Sequence, residues 1–439
     1  MNRDAPILSF LTPSNSAACI RNAWESIRDQ TIRDWEWIIV ANGGLASDSC
    51  AEIVGGDPRV RVVRADAPFE GRIGALKRQA ALVARGEYMI EFDHDDELSR
   101  DCGHVLLDTF LSKKCDFAYS RYAATAENRV VKWAEHDGWK YENCTFAGKK
   151  NEVWACCVLP LLLPQNISRI WYAPNHVRAW RSSSYKDAGG HDPSLTVCDD
   201  QDLMCRLFIK TRANFFGLES CLYKYRIHRS NSWMKPEINS AILPTAMRLH
   251  DRYIESMALA LWKKTHRCVE FSLRKNSADA PFERLVSGLE EVVLLDGAWP
   301  MHESETGVIK ADGAVQFVES MDHFFAEAYR CLTHGGLLLI DVPSTEGGGG
   351  FYDERISTRW SRHSFWRYGM AWNNKTARKW GFQIVRLANY YPTLWHKENN
   401  VIFCRAHLAA LKDGPELHGP HHTVQAPPTN WSNGDEIYC

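Results

Sequence analysis

The sequence lacks the features that would tie the chain to a membrane or to a polyanion. Its formal net charge is only −2, so no overall excess of one sign indicates nucleic acid or an anionic lipid surface as a partner. Because net charge averages over faces, it does not exclude a local basic groove. The longest apolar run, at 153–163, is too short to span a bilayer, and no secretory signal opens the sequence. We therefore expect a cytoplasmic protein without a membrane span.

Metal-binding cysteine patterns are also lacking. The 14 cysteines are scattered, with one adjacent pair at Cys156–Cys157 and no CxxC pair, which argues against a zinc ribbon and favours reduced thiols. The content of 45% hydrophobic and 24% charged residues is that of an ordinary globular protein. A length of 439 residues is long for one core and predicts two domains.

Strand and helix patterns alternate through the first 95 residues. Helical spacing begins at Ile20 and again at Gly74. Strands separated by helices predict an α/β fold with a parallel sheet covered on both faces. Ligands bind such sheets at the carboxyl ends of the strands, which directs attention to the loops after the predicted strands. Those strands are Pro6–Leu11, Trp35–Ala41, Val60–Val63 and Glu87–Phe92.

Three aspartates follow the fourth predicted strand, in the run Glu91-Phe92-Asp93-His94-Asp95-Asp96. Carboxylates this close repel one another unless a cation holds them. Oxygen ligands suit Mg²⁺ or Mn²⁺, which also bridge the diphosphate of a substrate. The alternative interpretation is a solvated acidic loop that caps the next helix. The position at a strand end favours the metal site.

Several ordered motifs over residues 6–233 resemble the inverting family 2 glycosyltransferases of the GT-A fold. The resemblance rests on the motifs LSFLTPSN, ESIRDQT, EWIIVANGG, GALKRQ with GEY, EFDHDDEL, GGHD with CDDQDL, and YRIH. It implies a Rossmann-like GT-A domain that binds a nucleotide-sugar donor and passes the sugar to an acceptor hydroxyl, with Mn²⁺ or Mg²⁺ as cofactor. A glycan is the leading acceptor class. A hydroxymethylated DNA base or a protein is the alternative.

The resemblance also assigns roles to individual residues. Asp200 matches the catalytic base, and Asp199 beside it is expected to raise its proton affinity through like-charge repulsion. Asp95 and Asp96 match the metal ligands, and His228 either completes the metal shell, contacts the diphosphate or is a buried structural histidine. The expected donor-binding residues are Thr12, Asn15, Asn42, Lys77, Arg78 and Asp93, and the acceptor side is expected to hold Asp199 and His191.

One departure from the family pattern concerns the donor base. The family commonly has an aspartate at the position of Asn42, where it accepts the imide N–H of uracil. An asparagine accepts through its amide oxygen but also donates. UDP is therefore only the first expectation for the nucleotide.

The C-terminal half resembles a class I SAM-dependent methyltransferase over about residues 285–408. The resemblance rests on residues 327–343, on Ser361–Trp366 and on Trp380-Gly381-Phe382. No Gly-x-Gly loop precedes Gly307, and we expect too little chain after the bridge to hold one. Since that loop is where the backbone approaches the cofactor, we expect a degenerate module that does not bind SAM and that serves stability, homo-oligomerisation or acceptor capture.

These patterns divide the chain into a GT-A domain at 1–235, a helical bridge at 236–275, a methyltransferase-like domain at 276–412 and a mobile tail at 413–439. Two rival hypotheses remain beside the glycosyltransferase. One is a bifunctional glycosyltransferase and methyltransferase, and the other is an inactive carbohydrate-binding scaffold.

Overall fold

The structure is a computed structural model that describes residues 5–127, 129–132, 140–148, 151–159, 161–169, 174–272, 289–293, 299–351, 354–369 and 380–412. These residues form two compact units. The N-terminal unit lies within Met1–Leu162 and Asn166–Tyr253, and the C-terminal unit within Leu163–Gln165 and Ile254–Leu417. The predicted tail at 413–439 lies outside the described residues.

The strands of the N-terminal unit build one large mixed sheet and a small hairpin. They are β1 Leu8–Ser14, β2 Trp35–Ala41, β3 Val60–Arg64, β4 Tyr88–Glu91, β5 Glu97–Leu98, β6 Phe117–Ala126, β7 Arg129–Val130, β8 Tyr141–Phe146, β9 Glu152–Cys157, β10 Arg178–Arg181 and β11 Phe215–Arg226. The helices of the chain, in order, are α1 Ala17–Arg28, α2 Ser47–Ile53, α3 Ile73–Val83, α4 Cys102–Lys113, α5 Pro164–Arg169, α6 Ser182–Asp187, α7 Asp199–Thr211, α8 Pro236–Trp262, α9 Met321–Cys331, α10 Arg362–Trp366 and α11 Leu394–Glu398.

The large sheet has the order β3-β2-β1-β4-β10-β6-β11-β5, with β7 paired to β6. The four strands β1 to β4 are parallel, which confirms the predicted βαβ alternation. Later strands make the sheet mixed, because β10 runs antiparallel to both β4 and β6. That insertion brings the start of β10 next to the carboxyl end of β4, since Arg178 pairs with Glu91.

Burial explains why these segments adopt their structures. All seven residues of β2 are buried, as expected for a strand covered on both faces. The helix α1 begins after Ser16, whose hydroxyl accepts a hydrogen bond from the Cys19 N–H, and it buries Ile20, Ala23, Trp24 and Ile27 at helical spacing. The Trp24 ring stacks on Trp37 of β2 with centroids 6.0 Å apart. The predicted core face is therefore confirmed for this helix.

The C-terminal unit contains a six-stranded sheet of order β13-β12-β14-β15-β17-β16. The first four of these strands are parallel, and β17 is antiparallel to both of its neighbours. The bounds are β12 Arg267–Ser272, β13 Glu290–Val293, β14 Thr306–Lys310, β15 Leu332–Pro343, β16 Phe382–Tyr390 and β17 Phe403–Ala410.

The presence of β12 corrects two expectations about the C-terminal half. The segment around β12 was expected to belong to a helical bridge ending at 275, whereas the helix α8 ends at Trp262 and β12 lies within the sheet. The chain after the bridge also holds more structure than expected, because β12 and β13 both precede Gly307. The connection between them lies at 273–288, outside the described residues. Its sequence has no glycine before Gly288.

None of the helices in the described part of the chain is long and apolar enough to cross a membrane.

Candidate active site

The acidic loop after β4 contains three aspartates in three different environments. Asp96 is fully buried, and its two carboxylate oxygens accept hydrogen bonds from the Tyr223 hydroxyl at 2.8 Å and from the Arg226 N–H at 2.7 Å. Burial and the neighbouring Asp95 and Asp93 raise the pKa of Asp96 well above its ordinary value. Asp96 therefore ties the loop to β11. Among the three it is the aspartate least available to an ion.

Asp95 lies against His228, the histidine that follows β11. The His228 Nε2 atom is 2.8 Å from Asp95 Oδ2, and both side chains keep partial exposure, at 36% and 18%. The other ring nitrogen of His228 lies 2.8 Å from the Ser230 hydroxyl, which holds the orientation of the ring. A carboxylate and an imidazole that face each other at the surface are a ligand pair that a divalent ion can enter. The structure thus brings two of the three predicted metal ligands together.

Asp93 faces a histidine that sequence reasoning missed. His176 Nε2 lies 3.3 Å from Asp93 Oδ2, and its ring stacks on Tyr223 with centroids 4.6 Å apart. Burial, with Arg178 and Lys77 nearby, lowers the pKa of His176 well below its ordinary value, so the imidazole is neutral and able to bind a metal. Asp93, Asp96 and His176 offer ligand atoms within 4.8 Å of one another. They form a second group that fits a divalent ion.

The predicted donor-base residues lie at the ends of β1 and β2. The amide nitrogen of Asn42 donates to the Ser14 carbonyl at 2.8 Å, which leaves the amide oxygen to act as the acceptor toward a ligand. Thr12 is buried, and its hydroxyl accepts from the indole N–H of Trp37 at 2.8 Å. Asn15 is exposed. The neighbouring Gly43 has φ of +62°, a backbone conformation that favours glycine.

The two basic residues predicted to meet the phosphates both make contacts within the protein. Lys77 is 4% exposed, and its ammonium lies 3.2 Å from Glu91 Oε2 and 3.9 Å from Asp93 Oδ1. The Lys77 side chain is therefore buried and paired with carboxylates, and it is not solvated at the helix surface. Arg78 donates to the carbonyls of Gly189 and His191 at 2.5 and 2.9 Å. Arg78 thereby fixes the turn that leads to α7, and its predicted phosphate contact stays a prediction.

The predicted base, Asp200, lies in the first turn of α7. Its Oδ2 atom is 2.6 Å from Nη1 of the buried Arg178, and its Oδ1 atom accepts from the Gln201 N–H at 2.8 Å. The neighbouring Asp199 is buried, and burial together with the charge of Asp200 raises the pKa of Asp199.

The predicted acceptor-side residues are in the interior. His191 is fully buried, with Nε2 3.0 Å from Glu91 Oε1 and 3.7 Å from Asp199 Oδ2. Gly74 of α3 packs directly on Asp199, because a Cβ added at Gly74 would lie 2.6 Å from Asp199 Cβ. These positions favour a supporting role for His191 and Asp199 over a direct contact with the acceptor.

Part of the chain matches the model of a known protein family. The model described as glycosyl transferase family 2 matches residues 13–160, a segment that contains the acidic loop. Residues 13–160 are thus similar to a glycosyltransferase family 2 domain. The match does not reach β10, α7 or β11, so Arg178, Asp200 and His228 belong to the site by their contacts.

Known proteins match the chain over limited lengths. The chain is 31% identical over 114 residues to the chondroitin synthase of Pasteurella multocida (strain Pm70). That match covers 25% of this chain and 11% of the relative. The chain thus spans about a tenth of the length of that protein.

Two solved structures are similar to the chain in part. The S. aureus TarS 1-349 complex with UDP-GlcNAc has a TM-score of 0.41 and 17% identity, covering 57% of this chain and 66% of that one. A mannosyltransferase from Pyrobaculum calidifontis in complex with GDP-Man and Mn²⁺ has a TM-score of 0.40 and 11% identity, covering 58% and 70%.

The residues of the candidate site that sequence reasoning missed are Glu91, His176, Arg178 and Tyr223. Glu91 had a signal, because it is the charged residue inside the otherwise apolar run YMIEF. It is fully buried and lies within bonding distance of Lys77, Arg178 and His191. The other three residues had no such signal in the sequence, since their partners lie far away along the chain.

Proposed function

We propose that the N-terminal unit is a metal-dependent inverting glycosyltransferase that moves a sugar from a nucleoside-diphosphate sugar to an acceptor hydroxyl. The proposal rests on one continuous network of contacts between charged side chains. It runs from Asp93 through Lys77 and Glu91 to Arg178 and Asp200, and so joins the acidic loop to the predicted base. Residues from four separate chain segments converge on the carboxyl end of β4, where an α/β sheet of this kind binds its ligand.

The donor set fits a divalent cation of the Mg²⁺ or Mn²⁺ type. Asp95 with His228, or Asp93 with Asp96 and His176, supplies carboxylate oxygens and imidazole nitrogen. Bound there, the ion would neutralise the charge of the departing diphosphate. We favour Asp95 and His228 as ligands because both remain partly exposed, whereas Asp96 is fully buried.

In the proposed reaction the acceptor oxygen attacks the anomeric carbon from the face opposite the leaving group. The new bond joins the acceptor oxygen to that carbon, and the bond from the same carbon to the diphosphate oxygen breaks. The hydroxyl proton passes to the carboxylate of Asp200, which acts as general base. Asp200 is 22% exposed, so it reaches solvent while its supporting residues are buried.

The donor and acceptor are proposed at the level of chemical class. UDP remains the first choice of nucleotide, because the amide oxygen of Asn42 is left to accept an N–H from the base. A polysaccharide is the leading acceptor class. The name of the chondroitin synthase relative refers to such a polymer.

For the C-terminal unit we propose a methyltransferase-like module that does not bind SAM. The parallel strands β13, β12, β14 and β15 support the likeness to a methyltransferase. The expectation that SAM does not bind rests on the sequence, in which Gly288 and Gly297 are the only glycines between α8 and Gly307. Neither belongs to a Gly-x-Gly turn. Homo-oligomerisation or acceptor capture is the role we propose for this unit.

The stereochemical outcome tests the proposed reaction class. With an α-configured donor, proton NMR of the fresh product should show a β-linked sugar. A product that keeps the α configuration would contradict direct displacement assisted by Asp200.

A further inference from the structure

Arg178 bridges two carboxylates with one guanidinium group. Its Nε atom donates to Glu91 Oε2 at 2.9 Å, and its Nη1 atom donates to Asp200 Oδ2 at 2.6 Å. Arg178 begins β10 and is 3% exposed, and Glu91 ends β4 and is fully buried. The sheet register sets this arrangement, since Arg178 and Glu91 are paired across the two antiparallel strands.

We infer that Arg178 is a positioning residue that fixes the direction of the Asp200 carboxylate, and that Glu91 in turn fixes Arg178. The inference rests on the proposed role of Asp200 as base and names a further residue that the reaction needs. Asp200 is held at both oxygens, by Arg178 at Oδ2 and by the Gln201 N–H at Oδ1. Each carboxylate oxygen has two lone pairs, so one direction for proton acceptance remains on each oxygen of a carboxylate that cannot rotate.

Stability alone is a poor explanation for this network. Replacing a buried ion pair by apolar residues of similar volume is often neutral or stabilising, so the burial of Lys77, Glu91 and Arg178 needs another cause. The exposed fractions indicate one. The three central residues are 5% exposed or less, whereas the two ends, Asp93 and Asp200, are 30% and 22% exposed. The buried centre thus presents the two carboxylates that are predicted to act on substrate.

The geometry requires the shape of arginine and not only its charge. Two different nitrogens of the planar guanidinium reach Glu91 and Asp200, and a lysine ammonium is a single point charge without that fork. Lys77 is already present at Glu91 and supplies a positive charge there. A lysine at position 178 would therefore keep the net charge of the site but lose the bridge.

The main experiment compares the full-length wild type with Arg178→Lys and Arg178→Ala by steady-state kinetics. We expect kcat for sugar transfer to fall by about 10²-fold in both variants, the order of loss that a misplaced catalytic group causes. The donor KM should stay unchanged, because Arg178 reaches the base and not the donor-binding loop residues. Added guanidinium should restore part of the kcat of Arg178→Ala but not change that of the control.

The matched control is Arg181→Lys on the same strand. Arg181 lies near Glu87 and Asp116 at 3.6 and 3.7 Å, with no contact to Asp200. Its kcat should equal that of the wild type. Should Arg178→Ala fold poorly, Arg178→Lys carries the test, because it keeps a positive charge beside Glu91, and it should fold while kcat stays low.

The outcomes separate this inference from the proposed function. An inactive wild type with every donor would contradict the proposed function itself. A wild type that is active, together with an Arg178→Lys variant of equal kcat, would overturn only the positioning role. The positioning role would also be overturned if kcat, donor KM and melting temperature changed together for the worse without guanidinium rescue, because that pattern describes a purely structural residue.

Discussion

His228 Nε2 lies 2.8 Å from Asp95 Oδ2, although the two residues are 133 positions apart in the chain. The contact joins the end of β11 to the loop after β4, and a shared metal ion is one of the roles that the sequence predicted for His228. It is the most direct structural support for that pairing. The partial exposure of both side chains leaves the pair accessible to an ion and to a diphosphate.

Asp95→Ala should abolish sugar transfer and leave the melting temperature unchanged, because the variant removes an ion ligand from a partly exposed position. EDTA should abolish the activity of the wild type, and Mn²⁺ or Mg²⁺ should restore it, as measured by release of nucleoside diphosphate.

Asp96→Ala should also abolish transfer, but it should in addition lower the melting temperature, since Tyr223 and Arg226 lose their hydrogen-bond acceptor. Asp108→Ala on α4, 72% exposed, is the control. Full activity in chelator would refute the metal role.

Asp200→Asn keeps the shape of the side chain and removes its ability to accept the proton. Turnover should fall by roughly 10²–10⁴-fold, the span of general-base catalysis, while donor affinity measured by titration hardly changes. Asp187→Asn at the exposed end of α6 serves as control. Loss of donor binding with turnover preserved at saturation would make Asp200 a binding residue.

Glu36→Gln should destabilise the N-terminal sheet at neutral pH. Burial acts to raise the pKa of Glu36, but hydrogen bonds from Arg85, Ser9 and Arg61 outweigh it and lower that pKa below the ordinary 4.5. A lowered pKa in the folded state stabilises the protein above the ordinary value, and this stabilisation is lost as the pH falls through the folded-state pKa. The free energy of unfolding should therefore drop by about 1.5–3 kcal/mol at pH 7.

Urea unfolding at several pH values measures this effect. The difference in the free energy of unfolding between wild type and Glu36→Gln should shrink as the pH is lowered below about 4.5. Glu52→Gln, at an exposed position of α2, should show no such difference. If the difference in the free energy of unfolding stayed constant from pH 7 to strongly acid solution, the ionised carboxylate would not be the stabilising group.

The sequence predicted the local elements better than the long-range contacts. The bounds of β2 agree with the prediction, and those of β3 and β4 agree within one residue at each end, because hydrophobic periodicity reports burial directly. The strand β12 was missed, since its six residues follow a long helix without a turn signal. The contacts of His176 and Arg178 could not be predicted. They depend on β10 inserting antiparallel beside β4, a pairing that no local pattern encodes.

The proposal for the C-terminal unit predicts that SAM does not bind. Isothermal titration at millimolar SAM should give no saturable heat, and SAM should not raise the melting temperature. The reason is that the sequence between α8 and Gly307 contains no Gly-x-Gly motif of the kind that close backbone approach requires. An active methyltransferase serves as positive control. A saturable signal, or a methylated product, would instead support the bifunctional hypothesis.

A screen of nucleotide-sugars with the protein and Mn²⁺ tests the proposed metal-dependent sugar transfer. It measures the nucleoside diphosphate that is released by slow hydrolysis without acceptor. We expect release from one donor class, first of all UDP-sugars, that stops with EDTA and is absent in Asp95→Ala. Asp108→Ala should match the wild type. Failure to release a diphosphate from any UDP-, GDP-, dTDP- or ADP-linked sugar, by a protein shown to be folded, would contradict it.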